Sequence, residues 1–219
     1  MKPLDYLSLQ MRLEGVQRGS GNFITRTSPG DNEFPLVLQA HTADGQEIVC
    51  FDERLPPALY YRLMSDSLPS FKVESAFAVF ALFGISAKVG HFRTYIFPDS
   101  FAAADTSTVT CFSQDDPIVV AVGFKGCLGK IYAIEQVGHI VSACVSTRQN
   151  ALAAEAWVFT HPDQRRKGFA RQVVTAWAGS LQRAGLVPFY SHEVENIKSA
   201  ALADSLKLVH VFDETVIEP

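Results

Sequence analysis

At 219 residues and 24.1 kDa, with 47% hydrophobic and 19% charged side chains, the chain can bury a sizeable core as one domain or two small ones. A formal net charge of -4 and a pI near 5.8 exclude a generally basic surface. Nucleic-acid binding through phosphates is therefore not expected, any anion site must be local, and the mild acidity points to a cationic partner.

The opening stretch, MKPLDYLSLQMRLEG, has an early acid and no continuous apolar core, so the expectation is no secretory signal and a cytoplasmic location. PLVLQAHTADGQEIVC reads as two strands around an Asp44-Gly45 turn, and PPALYYRLMSD as a helix opened by two prolines. AFAVFALFGI, Ala76 to Ile85, is the longest apolar run. It is far short of the ~20 residues that cross a bilayer and reads as a buried helix, so no membrane partner is expected. HFRTYIF alternates as a strand, and PDSFAAADTST, Pro98 to Thr108, is the seam between front and back.

Four cysteines, Cys50, Cys111, Cys127 and Cys144, show no CxxC pair and are expected to be reduced and buried, with no disulfide and no metal. Other motifs fail on spacing. GFKGCLGKI puts Ile131 where a phosphate loop needs a hydroxyl, and HEVEN puts Asn196 where a zinc helix needs its second histidine.

The back of the chain is more regular. KIYAIEQ, HIVSACVS and LAAEAWVFT form three strands joined by tight turns, an antiparallel meander. A long helix follows, with Phe169, Val173, Trp177 and Leu181 spaced by four, Val174 and Ala184 widening the stripe, and Gly185 as its stop. LVPFYSHE is a strand, NIKSAALADSL a helix opened by Asn196, and LVHVFDETVIE a last strand.

The start of the long helix carries the chemistry. First-turn N–H groups lack intrahelical partners and sit at the positive end of the macrodipole, so they attract anions. Gly168 opens the backbone to a ligand, Ala170 stays small, and Arg165, Arg166 and Lys167 surround the same point with positive charge. A pyrophosphate suits this better than a single carboxylate.

VFTHPDQRRKGFARQVV, with R-x-x-G-x-A at Arg165, Gly168 and Ala170, resembles the acetyl-CoA-binding signature of the GNAT superfamily of N-acetyltransferases. The similarity runs in order from about Lys130 to Val211 and includes N-x-x-S at Asn196 and Ser199. It implies a mixed α/β fold, with a mostly antiparallel central sheet flanked by helices and an N-terminal α/β portion. Residues 106–219 would be the acetyl-CoA-binding domain. Residues 1–105 would complete or cover the acceptor site, or form a degenerate half.

The resemblance further implies that Val158, Phe159 and Thr160 lie along the pantetheine arm, with Val158 and Thr160 supplying backbone contacts. Arg165, Arg166, Lys167, Gly168, Phe169, Ala170 and Arg171 would cradle the pyrophosphate, and Asn196 and Ser199 would approach from the other side. The chemistry would be direct acetyl transfer from acetyl-CoA to a primary amine of a small molecule or peptide. An alkylamine with a pKa near ~10.4 needs a base at neutral pH. Glu155 is the first candidate for it and His192 the second, while Tyr190 could line the site or protonate the leaving thiolate. Ala203 stands where many members carry that acid as a tyrosine, and the usual terminal hairpin after the last strand is expected to be absent or shortened. The alternative is a non-catalytic module that binds or senses acyl-CoA. Neither acceptor nor oligomeric state is legible.

Overall fold

The computed structural model describes residues 1–27, 34–66, 71–99, 105–122, 124 and 127–219. The chain divides into two compact units, Met1–Arg93 with Val211–Pro219, and Thr94–His210. The expected seam at residues 98–108 thus falls inside the second unit, and residues 100–104 of it lie outside the described residues.

The first unit holds α1 (Pro3–Leu13), β1 (Val16–Arg18), β2 (Phe23–Arg26), β3 (Val37–Thr42), β4 (Glu47–Asp52), α2 (Pro57–Asp66) and α3 (Val73–Leu82). It also holds β5 (Lys88–Ile96) up to Arg93 and β11 (Val209–Glu218) from Val211. Its strand order is β1-β2-β4-β3-β11-β5. The β3–β4 hairpin is the one expected around Asp44-Gly45, where Gly45 takes φ 86 and Thr42 Oγ1 accepts from Gln46 N–H. Val37, Phe51, Leu59, Leu63, Val79, Phe80 and Ile217 form its core. Helix α3 buries only one face, Ala76, Val79 and Phe80, while Leu82 is 76% exposed, so the apolar run is half a core helix and not a fully buried one.

The second unit holds the end of β5, β6 (Thr110–Phe112), α4 (Pro117–Val122), β7 (Leu128–Gln136), β8 (His139–Gln149) and β9 (Ala153–Thr160). A 3-10 turn at Pro162–Gln164, α5 (Phe169–Arg183), β10 (Val187–Glu193) and α6 (Ile197–Leu206) complete it. Strand order is β5-β10-β9-β8-β7-β6, and of these strands β9 and β10 pair in parallel. The meander β7-β8-β9 appears as expected. GFKGCLGKI lies partly outside the described residues, and its last four residues open β7. The outer neighbour of β10 is β5, and β11 runs between β3 and β5.

Helix α5 packs where its stripe predicts. Val173, Val174, Trp177 and Ala178 are buried against Ile134, Cys144, Ala154, Ala156, Tyr190 and Ala203. Each large member stabilises the fold by about 1.5–3 kcal/mol. The opposite face of the sheet holds a second cluster, Val119, Ile131, Ala133, Ile140, Ala143 and Val145, which includes Val119 of α4. All four cysteines are free, but Cys111 is exposed on the short strand β6 and Cys127 is half-buried, so burial holds only for Cys50 and Cys144. Among the described residues, no helix is long and apolar enough to cross a membrane.

Candidate active site

The site is built where β9 and β10 part. Their ladder covers three pairs, ending at Glu155 opposite Phe189, although β10 continues to Glu193. On its other edge β9 stays paired with β8 as far as Thr160 opposite Ser142.

Two hydrogen bonds fix which backbone groups face the opening. Leu152 O accepts from Val187 N–H at 2.9 Å on the β10 side, and His161 N–H donates to Val141 O at 2.9 Å on the β8 side. Backbone groups alternate edges along a strand, so the even-numbered residues of β9 face β10. Val158 and Thr160 therefore turn their backbone groups into the opening. The backbone of Phe159 faces β8, and its carbonyl accepts from Ser142 Oγ at 3.0 Å. The Thr160 carbonyl accepts from Arg165 Nε at 3.3 Å.

The helix start lies directly beyond. Gly168 is the N-cap of α5 with φ 79, and among the described residues no side chain caps the helix. The first helical hydrogen bond runs from Gln172 N–H to Gly168 O at 3.2 Å, so the N–H groups of Phe169, Ala170 and Arg171 have no intrahelical acceptor. A Cβ on Gly168 would meet no heavy atom within 4 Å, so the glycine answers to its left-handed backbone and leaves open space in front of the helix. Arg166 also takes a positive φ, 61. Arg165, Arg166 and Lys167 are exposed, and Lys167 Nζ donates to Gln164 Oε1 at 2.6 Å. The α5 start thus presents N–H groups without intrahelical acceptors beside three exposed cations.

The catalytic candidates fall on opposite faces of the sheet. Ala154, Ala156 and Val158 point their side chains into the α5 cluster, so Glu155, Trp157 and Phe159 point the other way. Glu155 is 6% exposed, and its Oε2 accepts from Arg148 Nη1 at 2.8 Å. Beside it Trp157 and Phe159 hold their rings parallel, 6.3 Å apart at 6°, and Phe124 stands edge-on to both.

Tyr190 and His192 lie on the α5 side, with ring centroids 6.3 Å apart. Burial pushes the Tyr190 phenol up to about 12, against the opposing pull of Ser199, whose carbonyl accepts its hydroxyl at 3.5 Å. His192 stacks on Tyr95, and its Nδ1 lies 2.7 Å from Glu193 O. The buried Nε2 of His192 has no hydrogen-bond partner among the described residues. The structure thus brings Tyr190 and His192 together and separates both from Glu155.

Asn196 is exposed and caps α6, its Oδ1 accepting from Ser199 N–H at 3.1 Å. Ala203 is buried in the α5 cluster, as a methyl group where a phenol would need a polar partner. Arg148, near the end of β8, carries no motif that singles it out, and the only signal for Trp157 is its period-2 spacing from Glu155 and Phe159.

Residues 123–213 match the family model described as GNAT acetyltransferase. That match spans 91 of the 219 residues, all in the second unit and the start of β11. An acetyltransferase of the GNAT family from Colwellia psychrerythraea is 14% identical, with 84% of this chain and 81% of that one covered and a TM-score of 0.51, a likeness of fold. A GNAT-family structure from Novosphingobium aromaticivorans is 18% identical over 60% of this chain, with a TM-score of 0.49, and the match spans 65% of that protein's length. A tandem GNAT protein from the clavulanic acid biosynthesis pathway is 12% identical, with 99% of this chain and 97% of that one covered and a TM-score of 0.46. No curated protein matches the chain.

Proposed function

We propose that the chain is an acetyl-CoA-dependent N-acetyltransferase acting on a primary amine. The observation that carries this reading is the end of the β9–β10 ladder at Glu155, which leaves Val158 and Thr160 with backbone groups facing an opening that leads to an uncapped helix start. Acetyl-CoA supplies the thioester acyl group when bound.

The chain's own residues divide the work. Val158 and Thr160 hold the pantetheine amides by strand-like hydrogen bonds, as an added strand would be held. The N–H groups of Phe169, Ala170 and Arg171 and the side chains of Arg165, Arg166 and Lys167 take the pyrophosphate. Asn196, with Oδ1 committed to Ser199, offers its amide N–H groups, and Ser199 stands beside Tyr190. Phe159 contributes its ring to the far face and not its backbone.

The two sheet faces suit the two proton transfers. Glu155, with Oε1 lacking a partner among the described residues, receives the amine proton directly or through water. The N–C bond forms as the C–S bond breaks, with Val158 N–H donating to the carbonyl oxygen as charge develops there. The thiolate leaves on the face of Tyr190 and His192. A phenol near 12 holds its proton too firmly to give it readily to a thiolate, so Tyr190 acts chiefly as a hydrogen-bond donor and solvent completes the protonation.

The methyl of Ala203 and the engagement of Glu155 by Arg148 favour a second reading, an acyl-CoA-binding module without turnover. One experiment separates them: titrate acetyl-CoA, CoA and dephospho-CoA by calorimetry, then measure CoA release with an amine panel. Binding followed by amine-dependent release is expected. Binding with no release under any amine gives the second reading, and no binding at millimolar ligand ends both.

A further inference from the structure

We propose that Cys111 is a thiol–disulfide exchange site in a cleft beside α5 that receives a small zwitterionic thiol, with Arg183 for its carboxylate and Asp99 for its ammonium group. The cleft measures about 520 Å³, within the range of roughly 300–1,000 Å³ typical of small-molecule sites, and lies at the β7–β6 edge of the sheet. Strand β8 separates that edge from β9 and its opening, so the site stands apart from the acyl-transfer reading.

Cys111 pairs directly with Tyr132 in the antiparallel ladder, which sets both side chains on one face. Tyr132 packs against the α5 cluster, and both residues line the cleft. Burial pushes the Tyr132 phenol up, against a hydrogen bond with Ser180, and the hydrogen-bonded Cys111 adds to the rise. A phenol that keeps its proton can donate it toward the sulfur, and such donation favours the thiolate, the nucleophile of exchange. Cys111 is exposed, whereas burial raises the thiols of Cys50, Cys127 and Cys144 and withholds their thiolates.

Two further features point to a guest. Thr175 lines the cleft at 4% exposure, and its Oγ1 has no hydrogen-bond partner among the described residues. Gly179 sits inside α5, where alanine would suit the helix better, and the nearest atom that a Cβ there would meet is Arg183 Nη1, at 3.4 Å, the far end of a flexible side chain. Packing therefore does not demand the glycine; it leaves the cleft open and lets the guanidinium fold back over it. Asp99 lines the same cleft with the opposite charge, so the paired carboxylate and ammonium of an amino-acid thiol match what is there.

In the exchange, the Cys111 thiolate attacks one sulfur of a small-molecule disulfide, and the new S–S bond forms as the old one breaks. Cys111 is oxidised and the departing half is reduced; that half takes a proton from water, replacing the one Cys111 released.

The probes are glutathione disulfide, which carries both charges, and the neutral 2-hydroxyethyl disulfide, each incubated with the full chain while peptide mass spectrometry follows the adduct at every cysteine. With glutathione disulfide, Cys111 is expected to react at least about tenfold faster than Cys127. The ratio of glutathione to hydroxyethyl rates should fall about tenfold in Arg183→Gln, whose side chain is exposed and dispensable to the fold, and both rates should drop in Gly179→Leu, which fills the cleft. No adduct at Cys111, or equal labelling of Cys111 and Cys127, overturns the exchange site. A ratio unchanged in Arg183→Gln, or rates unchanged in Gly179→Leu, overturns recognition by the cleft and reduces Cys111 to an exposed thiol.

Discussion

Helices α5 and α6 begin in opposite ways. At α6 the chain supplies its own cap, Asn196 Oδ1 accepting from Ser199 N–H, and the helix start is satisfied. At α5 the cap position is Gly168 in a left-handed conformation, no side chain reaches back, and three cations precede it. A glycine in place of a side-chain cap costs about a few tenths of a kcal/mol, and α1 and α3 also start without a side-chain cap bond, so the missing cap alone assigns no role. What sets the α5 start apart is the left-handed Gly168 with three exposed cations before it, the arrangement that the proposed pyrophosphate site uses.

The strongest way to break the contrast is Gly168→Asp. It forces an L residue into φ 79 and sets a carboxylate where the anion would lie, so the acetyl-CoA Kd should weaken at least about 100-fold, read by calorimetry. An affinity within about threefold of wild type would sink the pyrophosphate assignment. On the opposite sheet face, Glu155→Gln keeps an oxygen for Arg148 but cannot accept a proton. The kcat for amine acetylation should fall about 10²-fold with acetyl-CoA affinity nearly unchanged, and a kcat within about threefold of wild type would remove Glu155 from the mechanism.

At the capped helix, Asn196→Ala should lower stability by about 1 kcal/mol in urea unfolding, and Asn196→Asp should restore it. If Asn196 also donates to the cosubstrate, Asn196→Asp stays weak in acetyl-CoA binding although folding has recovered; full recovery of both would leave it a cap only.

The smallest effect concerns Tyr190. Its folded-state value of about 12 lies above the ordinary phenol near ~10, so the neutral form is favoured by folding. The contribution is complete below about pH 10 and is lost as pH rises through about 12, because the unfolded chain releases this proton first. Tyr190→Phe should therefore flatten the fall in stability between pH 9.5 and 11.5 in denaturant titrations, and an unchanged slope would contradict the burial argument.

Much of the second unit was legible because its signals are local. The spacing of Phe169, Val173, Trp177 and Leu181 depends only on helical periodicity, and the meander strands carry their own turns. The first unit was legible in pieces, such as the β3–β4 hairpin, whereas α1, β1 and β2 gave no comparable signal. The cysteines misled because composition favours burial on average, while Cys111 sits on a three-residue edge strand with little above it.

By itself the sequence determined the helix start with its glycine and cations, the order of the strands along the chain, and the similarity that names their class. Only the tertiary structure decided that the β9–β10 ladder stops at Glu155, that Glu155 and Trp157 share one face while Tyr190 and His192 share the other, and that β11 returns between β3 and β5. The reason is physical: helix periodicity, caps and turns are set by neighbours within a few residues. Strand pairing and the side of a sheet that a residue faces are set by partners tens of residues away, chosen by packing that no local pattern records.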